Sequence, residues 1–169
     1  MGTMLRTDTK PLKMSLVYGP SSGFNLPMGA SKTKGAQSGS FAKKDASGDG
    51  DYAGDTDAEL VGWVNSPSET TGTTAGDTVY WCYNSPDARF LMPLRYDNST
   101  YTVNYAESLR GETTDLIVIS NVQYANPTTS SEDTVVIYDG KAASSATAND
   151  SFVLVGLNSN KMYATGAAD

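Results

Sequence analysis

The densest group of chemistry-bearing side chains in this chain is Asp45, Asp49, Asp51, Asp55 and Asp57, a run with no base among them. Asp45, Ser47, Asp49 and Gly50 match the opening of an EF-hand loop, and Asp51 falls at its backbone-ligand position. The match fails at its close. The bidentate glutamate belongs at residue 56, which is Thr56, and no helix pattern flanks the run. The same residues read more simply as a soluble Asp/Gly hinge, so no metal is assigned.

Other reactive groupings are sparse. The 169 residues include no histidine, so Ser/His/Asp and Cys/His catalysis lack their base within this chain. Glu107 and Glu112 bracket a short segment, and Glu132 and Asp133 are adjacent. A glycosidase needs two carboxylates facing each other at ~5–9 Å, and no spacing here points to that. Gly29-Ala30-Ser31-Lys32 and Lys34-Gly35 lack the strand–loop–helix context and the spacing of a phosphate loop. Cys82 lies in the apolar run Val79-Tyr80-Trp81-Cys82-Tyr83 and reads as a small core residue. A single cysteine makes no intrachain disulfide. The expectation is a protein with no catalytic residues and no cofactor.

The elements that would position these groups change character near residue 57. Residues 14–18 are strand-like and end at Gly19-Pro20. Residues 19–57 hold eight glycines and few large apolar side chains. Such a segment buries too little surface to offset the ~1–2 kcal/mol per residue of backbone ordering, and is expected to be extended or disordered until a partner covers it. Phe24, Leu26, Met28 and Phe41 are its scattered apolar anchors. After residue 57 the chain reads as β, with strands expected at 59–65, 78–83, 89–94, 101–104, 115–122, 134–138 and 151–157, and a short one at 161–163. Ser/Thr/Gly/Pro clusters, such as 66–72 and 125–130, separate them as loops. Asp139-Gly140 reads as a tight turn. The one expected helix is short, 105–110, with Gly111 at its C-terminal end. The architecture expected is all-β: a compact β-sandwich or β-barrel body, 58–169, behind an extended N-terminal arm and acidic hinge, 1–57.

Two-sided apolar runs carry a further expectation. Leu116-Ile117-Val118-Ile119 and Phe152-Val153-Leu154-Val155 are apolar on both faces, and Val79-Tyr80-Trp81 is apolar on one and aromatic on the other. A body of this size has one core to fill. The second faces must then pack on the arm, on a symmetry mate or on another protein, unless the chain's own loops cover them. Trp63, Trp81, Phe90, Ile117, Val136 and Leu154 are the expected core.

Charge follows the same division. Residues 1–44 carry Arg6, Lys10, Lys13, Lys32, Lys34, Lys43 and Lys44 against Asp8, while residues 58–169 carry five bases and thirteen acids, within a chain of net charge -7. A basic segment on an acidic body can reach nucleic acid, an acidic protein surface or its neighbour's body. Nucleic acid is disfavoured, because the arm offers only Tyr18, Phe24 and Phe41 for stacking and the body is acidic. No apolar stretch approaches the ~20 residues that span a bilayer, and the N-terminal residues lack the apolar core of a signal peptide. Met1-Gly2 opens like a myristoylation motif, but Arg6 stands where that motif requires Ser or Thr. The sequons at Asn98 and Asn149 read as turns. Ten tyrosines and two tryptophans also permit a sugar-binding platform.

Several stretches in order resemble the small capsid decoration (cement) proteins of tailed bacteriophages, marine and cyanobacterial ones in particular. They are Ala58-Glu59-Leu60-Val61-Gly62-Trp63-Val64, Gly76-Asp77-Thr78-Val79-Tyr80, Pro86-Asp87-Ala88-Arg89-Phe90, the 105–111 segment, Asp115-Leu116-Ile117 and Phe152-Val153-Leu154-Val155-Gly156-Leu157. The resemblance covers about two-thirds of the chain and rests on pattern and order. It implies a β-rich domain on the capsid surface of a virion, a homotrimer, gripping the major capsid protein through an extended arm. The residues expected to meet that partner are Arg6, Lys10, Lys13, Phe24, Leu26, Met28, Lys32, Lys34 and Phe41. A carbohydrate- or receptor-binding module of a virion, such as a tail-fibre tip, is the alternative.

Overall fold

A computed structural model describes residues 15–18, 23–34, 39–55, 57–65, 69–95, 105–128, 131–145 and 151–162, the first of these by its backbone alone. The expected strand at 101–104 lies outside them.

The fold is all-β, built of two antiparallel sheets. The six-stranded sheet has the order β1 (Ser15–Tyr18), β7 (Arg89–Pro93), β11 (Phe152–Leu157), β10 (Val135–Lys141), β8 (Thr113–Ile119), β9 (Val122–Asn126). It curls like a half-barrel, so that β9 returns to the far end of β7, where Arg95 N–H donates to the Ala125 carbonyl at 3.0 Å. The five-stranded sheet has the order β2 (Gly23–Pro27), β6 (Val79–Tyr83), β5 (Gly62–Val64), β3 (Ser40–Lys44), β4 (Gly50–Tyr52). It curls as well: Gly29 N–H donates to the Gly50 carbonyl at 2.8 Å, joining the end of β2 to β4.

The division at residue 57 marks no break in pairing. β2, β3 and β4 belong to the same sheet as β5 and β6, so residues 23–34 and 39–55 are folded structure, where an extended or disordered arm was expected. Sparse apolar content suffices here for a physical reason. β5 and β6 supply a ready ladder, and each apolar anchor drops into a core. Phe41 enters the main core, with its ring 5.2 Å from Phe90 in an edge-on contact. Leu26, Met28 and Ala42 join Val61, Val64 and Cys82 in a second, smaller core inside the curl of the five-stranded sheet. The second apolar face of β6 is thereby filled by the arm's own strands.

The long apolar run after Thr113 is a hairpin, where a single strand at 115–122 was expected. Ser120 and Asn121 both take left-handed backbone, with φ of 51° and 61°, which closes a two-residue turn between β8 and β9. Ser-Asn lacks the glycine that usually announces such a turn, so the reversal is hard to see in the sequence. Asp139-Gly140 is not a turn either. β10 runs through both to Lys141, with a bulge between Ile137 and Asp139. The helix expected at 105–110 is a single 3-10 turn, Glu107–Leu109, followed by Gly111 at φ 89°. The strand expected at 161–163 is replaced at its start by a second 3-10 turn, Ser159–Lys161, and Met162 makes a parallel bridge to Leu60.

Trp63, Phe90 and Ile117 are buried as expected. Trp81 is not: it is 44% exposed. Val136 and Leu154 are half-buried, while their neighbours Val135, Ile137, Val153 and Val155 fill the core. Both strands are apolar on both faces, so one residue of register decides which set points inward.

Candidate interaction surfaces

The period of β6 builds the first surface. Cys82 faces the small core, so Val79, Trp81 and Tyr83 project from the opposite face of the sheet. That face is the one the six-stranded sheet covers. Trp63, paired with Tyr83, stacks against Phe90 with ring centroids 5.5 Å apart and is buried. Tyr83 lies 5.7 Å from Trp63 and is half-buried. Trp81 follows at 6.4 Å from Tyr83, edge-on, and here the cover ends. Trp81 is 44% and Val79 49% exposed. On β2 the residues opposite are Gly23, Asn25 and Pro27, the last two exposed. A Cβ on Gly23 would meet the Cys82 carbonyl and the Trp81 ring, so glycine lets these strands and the indole sit close. The outcome is an apolar strip that continues the inter-sheet core out to solvent.

The second surface lies on the six-stranded sheet. Tyr138 is 39% exposed at the β10 bulge. The Arg89 guanidinium lies 3.7 Å from its ring centroid and donates to the carbonyls of Pro86 at 2.7 Å and Ala88 at 2.9 Å. Gly156 leaves room for both side chains: a Cβ there would stand 2.9 Å from each. Val136, Phe152 and Leu154 are half-buried residues of the same two strands, β10 and β11.

The acidic run is folded into local structure. Asp45 sits in the β3–β4 hairpin loop, where one carboxylate oxygen accepts from the N–H groups of Ser47 at 2.9 Å and Asp49 at 3.1 Å. Asp51 and Asp57 pair with Lys32 at 2.9 Å and Lys43 at 2.7 Å. Asp55 accepts from the N–H of Val118 and so ties the hinge to β8. Among the described residues no three or more His, Cys, Asp or Glu side chains cluster as metal ligands would. Burial pushes the Cys82 thiol up to about 12, so it is chemically quiet.

The residues expected to meet a partner are dispersed. Arg6, Lys10 and Lys13 lie outside the described residues. Leu26, Met28 and Phe41 are buried in this chain's own cores, and Phe24 is half-buried against the smaller one. They cannot act as pegs for another protein while this fold holds. Lys32 is committed to Asp51, with Asp45 at 3.9 Å. Lys34 is 4% exposed, and burial lowers its pKa to about 8, opposed by Glu69. The residues that do face solvent, Val79, Trp81 and Tyr138, lay in runs whose two faces are equally apolar. Only the extent of cover separates core from surface there.

Comparison of the chain with protein-family models, curated proteins and solved structures gives no match.

Proposed function

We propose that this protein is a non-enzymatic structural protein of a virion, decorating and stabilising a phage capsid by bridging coat subunits. One observation carries the reading: a single cross-tied body bears a solvent-facing aromatic side chain on each of its two sheets, Trp81 beside Val79 on one and Tyr138 on the other. Exposed apolar side chains such as the Val79–Trp81 pair can mark contact sites, and a bridging protein needs one on each of two faces. The resemblance of the segment order to that of decoration proteins points the same way, and Trp63, Phe90, Val153 and Val155 of those segments belong to the main core. The partner proposed is the major capsid protein, with three-fold self-association on the lattice and residence on the capsid surface.

The test is co-sedimentation of the purified chain with expanded heads of the virus that encodes it. Saturable binding that weakens in Trp81→Ser or Tyr138→Ser supports the reading, and no binding to heads at any stage of expansion overturns it. A carbohydrate-binding module of a virion is the second reading. The exposed Trp81 beside Tyr83 favours it, because sugar rings stack on such side chains. Retention on a glycan array without head binding would select it.

A further inference from the structure

The strip at Val79 and Trp81 is open to solvent, and three observations say what would fit it. The first is its chemistry. The strip is apolar and aromatic, and exposed acids stand at both ends of β6: Asp77 just before Val79, and Asp87 in the turn after Tyr83. The ion pairs among the described residues join Lys32, Lys43 and Arg110 to Asp45, Asp51, Asp57 and Asp139, and include neither of these two acids. A fitting occupant is therefore an apolar segment with cations interspersed.

The second is that this chain carries one. Residues 1–14 contain Met4, Leu5, Leu12 and Met14 among Arg6, Lys10 and Lys13, with Asp8 as the one acid. Extended, fourteen residues reach at most about 50 Å, which is ample to cross to a neighbouring molecule.

The third is where that segment is attached. β1 is antiparallel to β7, with Tyr18 beside Arg89 and Ser15 beside Leu91. Ser15, to which residues 1–14 are attached, thus stands on the Pro93 side of Tyr18 along β7. β6, which carries the strip, is joined through residues 84–88 to the opposite end of β7, at Arg89. The segment and the strip's strand are therefore attached toward opposite ends of β7, and a second molecule presents the same strip without that separation.

We propose that the Val79–Trp81 strip of one copy receives residues 1–14 of a second copy, so that the protein self-associates by exchanging this basic, apolar segment. The contact joins two different surfaces, so repeated head-to-tail docking closes into a ring when the rotation allows. The inference goes beyond the capsid reading and is tested without any coat lattice, so either can fail alone.

Sedimentation equilibrium of the full-length chain in buffer alone should give a mass above that of one copy. Trp81→Ser, and separately the pair Leu5→Glu and Leu12→Glu, should each return it to the mass of one copy with an unchanged circular-dichroism spectrum. Disulfide trapping then identifies the contact. Full-length Leu5→Cys and Val79→Cys chains, mixed and oxidised, should give a disulfide joining residue 5 of one chain to residue 79 of the other. Buried Cys82 does not compete. A one-copy mass at every concentration overturns the proposal. So does a bond that forms only within one molecule of the double Leu5→Cys, Val79→Cys chain, which would show the segment on its own strip. Trapping of residue 79 to residue 79 alone also overturns it, because the strip would then meet its own counterpart.

Discussion

The side chain of Gln123 holds Phe41 as a neighbouring strand would. Its Oε1 accepts from the Phe41 N–H at 2.8 Å, and its Nε2 donates to the Phe41 carbonyl at 3.0 Å and to the Ala53 carbonyl at 2.8 Å. Gln123 belongs to β9 of the six-stranded sheet, and Phe41 to β3 of the five-stranded one. One buried carboxamide thus ties the two sheets together by imitating a peptide unit. It satisfies the Phe41 N–H and the Ala53 carbonyl, and shares the Phe41 carbonyl with the Ala53 N–H, which donates to it at 3.0 Å.

Gln123→Leu should therefore cost more than an ordinary polar deletion. It leaves the Phe41 N–H and the Ala53 carbonyl buried without this partner, each at roughly 1–3 kcal/mol. The expected loss is about 2–4 kcal/mol, read as a fall in the urea midpoint at unchanged slope. Gln123→Glu should be no milder, since a carboxylate cannot donate to either carbonyl. A loss below about 0.5 kcal/mol in both variants would mean that the tie is dispensable.

Register decides how truncations rank in the core. Phe90 is fully buried between the rings of Phe41 and Trp63, and Phe90→Ala should cost about 3–5 kcal/mol. Ile117→Ala should cost about 2–4 kcal/mol, because Ile117 is buried on β8. Leu154→Ala should cost less than Ile117→Ala, because Leu154 is half-buried while Val153 and Val155 hold the interior. The reverse order in equilibrium denaturation would place Leu154 on the inner face and contradict the β10–β11 register.

Asp115 should make the fold sensitive to acid. Its carboxylate is buried, which by itself raises its pKa, yet it accepts from the N–H groups of Asp133 at 2.6 Å and Glu132 at 2.9 Å and from the Oγ and N–H of Ser131 at 3.0 and 3.1 Å. The hydrogen bonds prevail and hold it below the usual carboxylate range. A depressed folded pKa gives stability that is fully present above the unfolded value of ~3.9 and is lost as pH falls through the folded value. Asp115→Asn should lower stability at pH 7 and flatten its dependence on pH below about 5. An unchanged slope in the variant would assign acid sensitivity to other carboxylates.

Lys34 should act with the opposite sign. Burial lowers its folded pKa to about 8, against an unfolded value of ~10.4. Between those values the unfolded chain binds more protons, so stability should rise with pH from about 8 to about 10. Lys34→Met should remove that rise. Thermal melts at pH 7 and pH 9.5 that shift equally in both proteins would show that Lys34 does not titrate in this window.

Much of the β architecture was legible because it rests on local chemistry. Runs rich in Val, Ile, Tyr and Trp, bounded by Gly, Pro, Asn and Ser, mark β5, β6, β7, β8, β10 and β11 to within a few residues. The β8–β9 reversal was not legible, because Ser120 and Asn121 hold left-handed backbone without a glycine to announce it. The tie through Gln123 left no local sign either, since a glutamine among Val122, Tyr124 and Ala125 reads as a surface residue until a distant backbone presents its N–H and carbonyl.

The sequence by itself determined that this chain is β-structured, acidic over most of its length and without a histidine base. Those properties depend on composition and on short-range pattern. Only the tertiary structure decided that residues 23–34 and 39–55 are strands of the body and not a free arm. Backbone groups there find partners far along the chain, as Phe41 finds Gln123 and Met28 finds Gly50. Tertiary structure alone also decided which apolar residues are surface. Trp63 and Trp81 share one face of one sheet and similar apolar surroundings, and they differ because the six-stranded sheet covers the first and stops short of the second.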